Sequence, residues 1–161
     1  MKKKISKGKK AKMNEIKKIL IPIDFSEHSL HALEYAKFFA GKFNAELILL
    51  NVVEPVVFIT DLTMGQINIP SIESELLQKS EEKINELVNS LKNEYNVRGV
   101  VKLGKPYVEI IEFSKNENID LIVIGSHGHT GVEHLLFGST AEKVIRKATC
   151  PVLIIRPSVK K

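Results

Sequence analysis

The fold of this chain is decided by the stretch LIVIGSHGHTG, residues 121–131, which leads on to GSTAE at residues 138–142. Its first four residues are branched and apolar, which predicts a strand buried on both faces. Three glycines within seven residues, from Gly125 to Gly131, predict backbone that turns sharply or lies close to another group. A buried strand that leads through a glycine-rich loop into a helix is typical of a phosphate-binding site.

The helix after this loop has a recognisable start. Ser139 and Glu142 have the S-x-x-E spacing of a capping box, and apolar residues follow at helical spacing. The first amides of a helix have no partner within it, and the helix dipole adds a partial positive charge there. We therefore expect an anion to bind where the loop meets this helix.

Two common glycine motifs do not fit the loop. A Walker loop requires a lysine after its last glycine, whereas Ser139 follows Gly138. A dinucleotide-binding motif requires G-x-G-x-x-G after the first strand of its unit, whereas this strand comes late in the chain. The spacing that remains is Gly125-x2-Gly128-x9-Gly138-Ser139. It resembles the loop of the universal stress protein family, whose ATP-binding members carry G-x2-G-x9-G-[ST].

The same residues have a purely structural interpretation. Gly125 would then only end a strand, and Gly138 and Ser139 would form the loop and cap of a structural helix. Each residue taken alone fits that interpretation better, but their joint spacing favours a nucleotide site. Ser139 fits both roles, as a cap and as a phosphate contact.

Strands and helices alternate along the rest of the chain. Apolar runs predict strands at residues 19–24, 46–53, 97–103 and 152–155, with helices between them. This pattern predicts an α/β fold, a single doubly wound domain with a five-stranded parallel sheet in the order 3-2-1-4-5 and helices on both faces. Gly99 interrupts the third strand, which we therefore place at an edge.

Local signals set the helix boundaries. Ser26 is a predicted N-cap and Asn44 a predicted left-handed end for the first helix. After a loop without periodicity, from Pro55 to Pro70, a second helix is expected from Ser71 to about Asn96. Pro106 suits the first turn of the third helix. The residues expected to form the apolar faces of the first and third helices are Leu30, Leu33, Ala36, Phe39, Ala40 and Phe43, and Val108, Ile111 and Phe113.

The sheet order predicts where a ligand lies. The order reverses between the first and fourth strands, and ligands of such sheets bind outside the carboxyl ends at that point. Asp24, at the end of the first strand, should therefore lie beside Gly125. An ionised carboxylate accepts hydrogen bonds, which suits an adenine amino group or a ribose hydroxyl but not a phosphate. Asp24 also has a structural alternative, as a cap for the helix that starts near Ser26.

The resemblance covers roughly residues 15–157 and implies a role for each matching position. It implies that the P-x-D segment and a valine of the second strand hold adenine, that a glycine after the third strand borders the site, and that the glycine loop takes ribose and phosphates. The implied cofactor is ATP, with Mg2+ carried by its phosphates. The implied binding residues are Pro22, Ile23, Asp24, Val52, Gly104, Ile124, Gly125, Ser126, His127, Gly128, Gly138, Ser139 and Thr140.

The implied function is that of a stress-response protein that regulates an unidentified protein partner according to its bound nucleotide. A slow ATPase with the same site is the alternative, but residues 125–138 contain no lysine or arginine to balance developing charge. A metal site is the third hypothesis, because His127, His129, Glu133 and His134 are potential zinc ligands. Loop histidines near phosphates are more often hydrogen-bond donors, so nucleotide binding is favoured.

Composition limits the class of protein. The chain has 161 residues, enough for one domain, and it has no run of 18 apolar residues and no signal peptide, so we expect a cytoplasmic protein. Of its 24 basic residues, seven lysines lie in residues 1–13, which leaves 17 against 19 acidic residues, a net charge of −2. We expect residues 1–13 to be a basic disordered tail with at most weak affinity for nucleic acid, before a nucleotide-binding domain at 14–158 and a short tail at 159–161.

Cys150, the only cysteine, excludes an internal disulfide and is a predicted buried filler.

The last strand predicts an assembly. Val152, Leu153, Ile154 and Ile155 would lie at a sheet edge, and they include none of the charges or bulges that normally protect an edge. Antiparallel pairing of two such edges would form a two-fold symmetric dimer, which the resemblance also implies. We therefore expect a homodimer through this strand.

Overall fold

The computed structural model describes residues 15–55, 69–127 and 137–156. The predicted tail at 1–13, most of the predicted loop at 55–70 and residues 157–161 lie outside the described residues. The elements are β1 (Lys18–Pro22), α1 (Glu27–Phe43), β2 (Glu46–Val53), α2 (Ile69–Leu91), β3 (Val97–Leu103), α3 (Pro106–Asn116), β4 (Leu121–Gly125), α4 (Ser139–Lys147) and β5 (Val152–Ile155). The sheet is parallel with the order β3-β2-β1-β4-β5, which confirms the predicted α/β fold.

Two hydrophobic cores lie on the two faces of the sheet. Successive side chains of a strand point to opposite faces, so Ile19 and Ile21 pack in the core with α1 and α2, and Leu20 packs in the core with α3 and α4. All three side chains are completely buried. Full burial of such a side chain stabilises the fold by about 1.5–3 kcal/mol. The continuous apolar runs of β1, β2 and β4 therefore follow from burial on both faces.

The predicted ends of α1 are confirmed. The Ser26 hydroxyl accepts a hydrogen bond from the backbone N–H of Ser29 at 3.2 Å. Asn44 has a φ of 52°, in the left-handed region, and its N–H donates to the Ala40 carbonyl. These two caps satisfy backbone groups that the helix itself leaves without partners.

The predicted apolar stripe of α1 is partly wrong. Leu30 and Phe43 are 37% and 41% exposed, whereas Ala32, outside the predicted stripe, is completely buried. Apart from Leu33, the buried side chains of this helix are small: Ser29, Ala32, Ala36 and Ala40. Small side chains let the helix lie close to the sheet, which turns the stripe away from the larger apolar residues.

Both boundaries of α2 and one core position of α3 differ from the sequence predictions. α2 begins at Ile69 instead of Ser71 and ends at Leu91 instead of Asn96. The Tyr95 N–H donates to the Leu91 carbonyl, so the chain reverses there before β3 starts. In α3, Val108 is only partly buried and Ile110 takes the core position, because this helix packs through Ile110, Ile111 and Phe113.

The predicted capping box of α4 is wrong by one residue. Gly138 is the N-cap, with extended backbone, Ser139 is the first helical residue, and no side chain caps the helix. The Gly138 N–H donates to the Ser126 carbonyl at 2.7 Å, and its carbonyl accepts from the Glu142 N–H at 3.0 Å. The backbone bond to Ser126, just after β4, thus sets the start of this helix, and the Ser139 hydroxyl is not needed as its cap.

Cys150 packs partly buried against the core beneath α3 and α4, in agreement with its predicted role as a filler. Burial raises the pKa of its thiol above the ordinary value, which disfavours the reactive thiolate. Within the described ranges, no helix has the length and apolar character needed to cross a membrane.

Gly99 has a structural role that its sequence position did not reveal. β3 is an edge strand, as predicted, but α2 covers it at this point. A Cβ atom built on Gly99 would overlap the Cγ2 atom of Ile84 and lie 3.2 Å from the Cγ2 atom of Val88. The missing side chain therefore allows α2 to lie close to the strand.

We predict that Gly99→Ala lowers the free energy of unfolding by about 1–3 kcal/mol, because α2 must move away from β3. Urea denaturation followed by circular dichroism measures this change. Gly41→Ala is the matched control, since a Cβ atom there meets only the Tyr95 Cε1 atom at an ordinary 3.8 Å, and alanine is the better helix former. Equal stability of the Gly99→Ala and wild-type proteins would contradict the proposed packing.

Candidate functional site

A cavity of about 360 Å3 lies outside the carboxyl ends of β1, β2 and β4. It is located at the point where the strand order reverses, as the sheet topology predicted. α3 and α4 begin at its wall. Its lining residues are Pro22, Ile23, Asp24, Ser29, Leu50, Val52, Glu54, Pro106, Ile110, Ile124, Gly125, His127, Gly138, Ser139, Thr140 and Ala141.

Asp24 both lines this cavity and supports the start of α1. Its Oδ1 atom accepts hydrogen bonds from the Ser26 N–H at 3.0 Å and from the Ser26 hydroxyl at 2.6 Å. Asp24 can therefore support the start of α1 and line the cavity in the same conformation. The Ser26 contacts fix the orientation of the carboxylate, which suits it to recognise a hydrogen-bond donor.

The backbone turns sharply just after Asp24. Phe25 has a φ of 64°, which is rare for a bulky residue and costs on the order of 1–3 kcal/mol. The Nζ atom of Lys83 lies 5.1 Å from the centre of the Phe25 ring, a contact that offsets part of this cost. Nothing in the sequence indicates this strained residue, which places Asp24 at the cavity and Ser26 at the helix cap.

Asn51 joins the ends of β1 and β2. Its buried side chain donates from Nδ2 to the Ile23 carbonyl at 2.7 Å, and the Ile23 N–H donates to the Leu50 carbonyl at 2.8 Å. Val52, one residue further along β2 and an adenine contact by the family resemblance, lines the cavity. These bonds fix the position of the P-x-D segment, residues 22–24, relative to Val52.

Gly125, at the end of β4, has a close neighbour from α1. A Cβ atom at Gly125 would lie 3.0 Å from the carbonyl oxygen of His28 and 3.2 Å from that of His127. The glycine is thus required by the approach of the α1 backbone, in addition to lining the cavity. Ile124 and His127, on either side in sequence, also line it.

Ser126 is a predicted site residue that lies behind the cavity wall and does not line it. It is completely buried, and its N–H donates to the Ile155 carbonyl at 2.8 Å. Its hydroxyl lies 3.0 Å from the Nδ1 atom of His127. Through these contacts Ser126 joins β4, β5 and the His127 ring, so its observed contacts are structural.

The first turn of α4 forms part of the cavity wall. Gly138, Ser139, Thr140 and Ala141 all line the cavity, and Ser139 is exposed to it without capping the helix. α3 also begins here, with Pro106 in its first turn and a cap residue, Lys105, whose side chain makes no cap bond. The first amides of α4, at the positive end of its helix dipole, therefore face the cavity.

Gly104 was predicted to border the site but is not among the lining residues. Its φ is +156°, and a Cβ atom there would lie 2.7 Å from the Oε1 atom of Glu109. Its N–H donates to the Val53 carbonyl at 2.9 Å. The described contacts of Gly104 thus belong to the turn between β3 and α3.

Several lining residues were not predicted from the sequence, of which Glu54 is the most informative. It follows β2 as Asp24 follows β1, so the rule that selected Asp24 would have selected Glu54 as well. Leu50 lies two residues before Val52 and shares its face. Ile110 lies one helical turn after Pro106. The side of the cavity at β1 and β2 therefore carries two carboxylates, and the side at β4 carries the helix N-terminus of α4.

The metal hypothesis depends mainly on residues that are not described. In residues 15–55, 69–127 and 137–156, no group of three or more histidine, cysteine, aspartate and glutamate side chains could hold a metal ion. His127 is described, whereas His129, Glu133 and His134 lie outside those ranges. Gly128, a predicted phosphate-loop residue, also lies outside them.

Comparisons with known proteins agree with this fold. Residues 15–156 match the profile of the Universal stress protein family. Universal stress protein MJ0577 of Methanocaldococcus jannaschii is 33% identical over 153 residues, which cover 87% of this chain and 94% of the relative. Universal stress protein MJ0531 of the same organism is 37% identical over 145 residues, with 89% and 84% covered.

Solved structures show the same likeness. The structure of MJ0577 superposes with a TM-score of 0.79 at 30% identity and covers 91% of this chain and 100% of that protein. A universal stress protein from Archaeoglobus fulgidus, solved in complex with dAMP, has a TM-score of 0.61 at 20% identity, with 88% and 99% covered, and shares the fold. The match over almost the whole described chain, together with the fold, shows that this protein belongs to the universal stress protein family.

Proposed function

We propose that this protein binds ATP, with Mg2+ carried by the phosphates, and regulates a protein partner in the cytoplasm according to its nucleotide state. The observation that carries the proposal is that two carboxylates and the first turn of α4 line one cavity. Carboxylates accept hydrogen bonds from an amino group or from ribose hydroxyls, and helix amides donate to phosphate oxygens. A nucleotide carries both kinds of group at its two ends.

The cavity fits such a ligand in size and in character. Small-molecule sites usually enclose about 300–1,000 Å3 and combine apolar walls with a few polar groups. Pro22, Val52 and Ile110 offer apolar surface for a base, and Ser139 and Thr140 offer hydroxyls near the start of α4. The dAMP complex of the Archaeoglobus fulgidus protein is an example of this fold with an adenine nucleotide.

Isothermal titration calorimetry tests the proposal directly. We expect saturable binding of one ATP per chain, and a preference for ATP over GTP. Mass spectrometry of nucleotide released from the purified protein gives the identity of any ligand that is retained. Absence of binding at millimolar ATP, with and without Mg2+, would contradict the proposal.

Asp24→Asn should reduce the preference for adenine over guanine by about tenfold, because the amide also presents a donor where the carboxylate only accepts. The asparagine Oδ1 atom can still accept the two hydrogen bonds from Ser26, so the start of α1 is preserved. Calorimetric titrations of the variant with ATP and GTP measure the preference.

Glu54→Gln is the matched control for Asp24→Asn, since it makes the same chemical change on the neighbouring strand. We expect it to leave the base preference unchanged, although ATP affinity can fall. An equal loss of affinity for ATP and GTP in Asp24→Asn would assign Asp24 to the helix start alone.

Ser139→Ala should weaken ATP binding by about three- to tenfold without loss of stability. Its hydroxyl makes no cap bond, so the cost of about 1 kcal/mol that usually follows removal of an N-cap should not occur. Urea denaturation and calorimetry together measure both quantities. Lower stability with unchanged ATP affinity would show that the hydroxyl caps the helix and does not contact phosphate.

We propose further that the protein is a homodimer through β5. The strand is an edge of the sheet, and Val152, Leu153 and Ile154 remain partly exposed. Ile154→Lys should dissociate the dimer, because it places a charge in the paired edge. Light scattering at micromolar concentration should give about twice the 18.1 kDa chain mass for the wild type and the chain mass for the variant.

The opposite edge of the sheet provides the control for this substitution. Leu103 on β3 is 39% exposed, so Leu103→Lys introduces the same charge at the other edge. It should leave the dimer intact. Circular dichroism must show that Ile154→Lys is folded, because this side chain also packs against the core. A wild-type monomer, or a folded Ile154→Lys dimer, would contradict the proposed interface.

A further inference from the structure

Lys143 and Tyr107 connect the first turns of the two helices that begin at the cavity. The Nζ atom of Lys143 lies 4.6 Å from the centre of the Tyr107 ring. Tyr107 directly follows Pro106, which lines the cavity, and Lys143 lies one helical turn after Ser139, which also lines it. The lysine therefore bridges α3 and α4 beside the cavity wall.

The direction of the Lys143 side chain brings its charge toward the start of α4. Residues four apart in a helix lie on one face, about 6 Å apart along the axis, and side chains lean toward the helix N-terminus. A lysine side chain spans roughly this distance, and the Tyr107 ring in the first turn of α3 holds its end. The ammonium group is thus held at the first turn of α3, next to the cavity-lining Pro106.

Lys143 is not engaged by a carboxylate. The neighbouring Glu142 forms an ion pair with Arg146 at 3.1 Å, and among the ion pairs of the described residues none involves Lys143. A lysine without such a partner retains its ability to bind an anion. The ring contact restricts its position without neutralising its charge.

We propose that Lys143, positioned by Tyr107, binds the outer phosphates of the nucleotide and makes the site selective for a triphosphate over a monophosphate. This inference rests on the proposed nucleotide function and specifies which nucleotide the site prefers. The α4 amides serve the inner phosphates, next to the cavity wall. A lysine that approaches from one turn further along α4 adds a positive charge for the phosphates that extend out of the cavity.

The role of Lys143 is distinct from that of the carboxylates at the other side of the cavity. Asp24 and Glu54 select the base and ribose and do not depend on the number of phosphates. Lys143 should contribute only when outer phosphates are present. The ratio of ATP affinity to AMP affinity therefore isolates its contribution from every effect on the rest of the site.

The test is calorimetric titration of the full chain with ATP and with AMP, each with and without Mg2+, at fixed ionic strength. Lys143→Met should weaken ATP binding by about tenfold and leave AMP binding unchanged, since it removes one charge-assisted contact and keeps the apolar stem. Tyr107→Leu should lower the same ratio by a smaller factor, because it frees the lysine without removing it.

Lys147→Met is the matched control. The Lys147 Nζ atom lies 5.6 Å from the same ring, but Lys147 is one helical turn further along α4 from Ser139, so the ATP-to-AMP ratio should change less than in Lys143→Met. Lys105→Met tests the other nearby lysine, at the N-cap of α3, and should have a smaller effect than Lys143→Met.

Two results would overturn the inference while the proposed function remained intact. One is an unchanged ATP-to-AMP ratio in a folded Lys143→Met variant that still binds both nucleotides. The other is a larger loss of the ratio in Lys105→Met or Lys147→Met than in Lys143→Met. Failure of the wild-type protein to bind either nucleotide would instead contradict the proposed function itself.

Discussion

The pairing of β1 with two neighbours is the constraint on which the rest of the structure depends. β1 pairs with β2 along its whole length and with β4 through Ile19 and Leu20. The connection after β1 leads to β2 on one side of it, whereas the connection after β3 leads to β4 on the other side, so a crevice opens where the strand order reverses. Ile19, Leu20 and Ile21 are completely buried, which fixes the register of all three strands and therefore the location of the cavity.

The cavity separates two kinds of electrostatic environment within a short distance. Asp24 and Glu54 follow β1 and β2, and the N-terminus of α4 faces them from the side of β4. A nucleotide has the complementary arrangement, with donors on its base and ribose and negative charge on its phosphates. The energetic cost of Phe25 in a left-handed conformation is consistent with a functional demand on the position of Asp24. The same turn also supplies Ser26 as the cap of α1, so one distortion serves the fold and the site.

The sequence predicted features that depend on local chemistry and on periodicity. Continuous apolar runs located the strands, the cap residues Ser26 and Asn44 located α1, and the reversal of strand order located the cavity. Features that arise from contacts between distant segments were not predictable in this way. Gly99 fits beneath Ile84, and the bond between Gly138 and Ser126 moves the start of α4 by one residue. Neither contact leaves a recognisable pattern in the local sequence. Glu54 could have been found by the rule applied to Asp24, whereas the contact of Lys143 with Tyr107 required the packing of α3 on α4.

The central claim is that an adenine nucleotide occupies the cavity at the strand reversal. Nuclear magnetic resonance titration of 15N-labelled protein with ATP measures both affinity and location. The account predicts saturable shifts of backbone amides in the segments that line the cavity, namely residues 23–24, 52–54, 124–127 and 138–141, with little change at the amino ends of the strands. Absence of saturable shifts at millimolar ATP, or saturable shifts confined to other parts of the molecule, would contradict it.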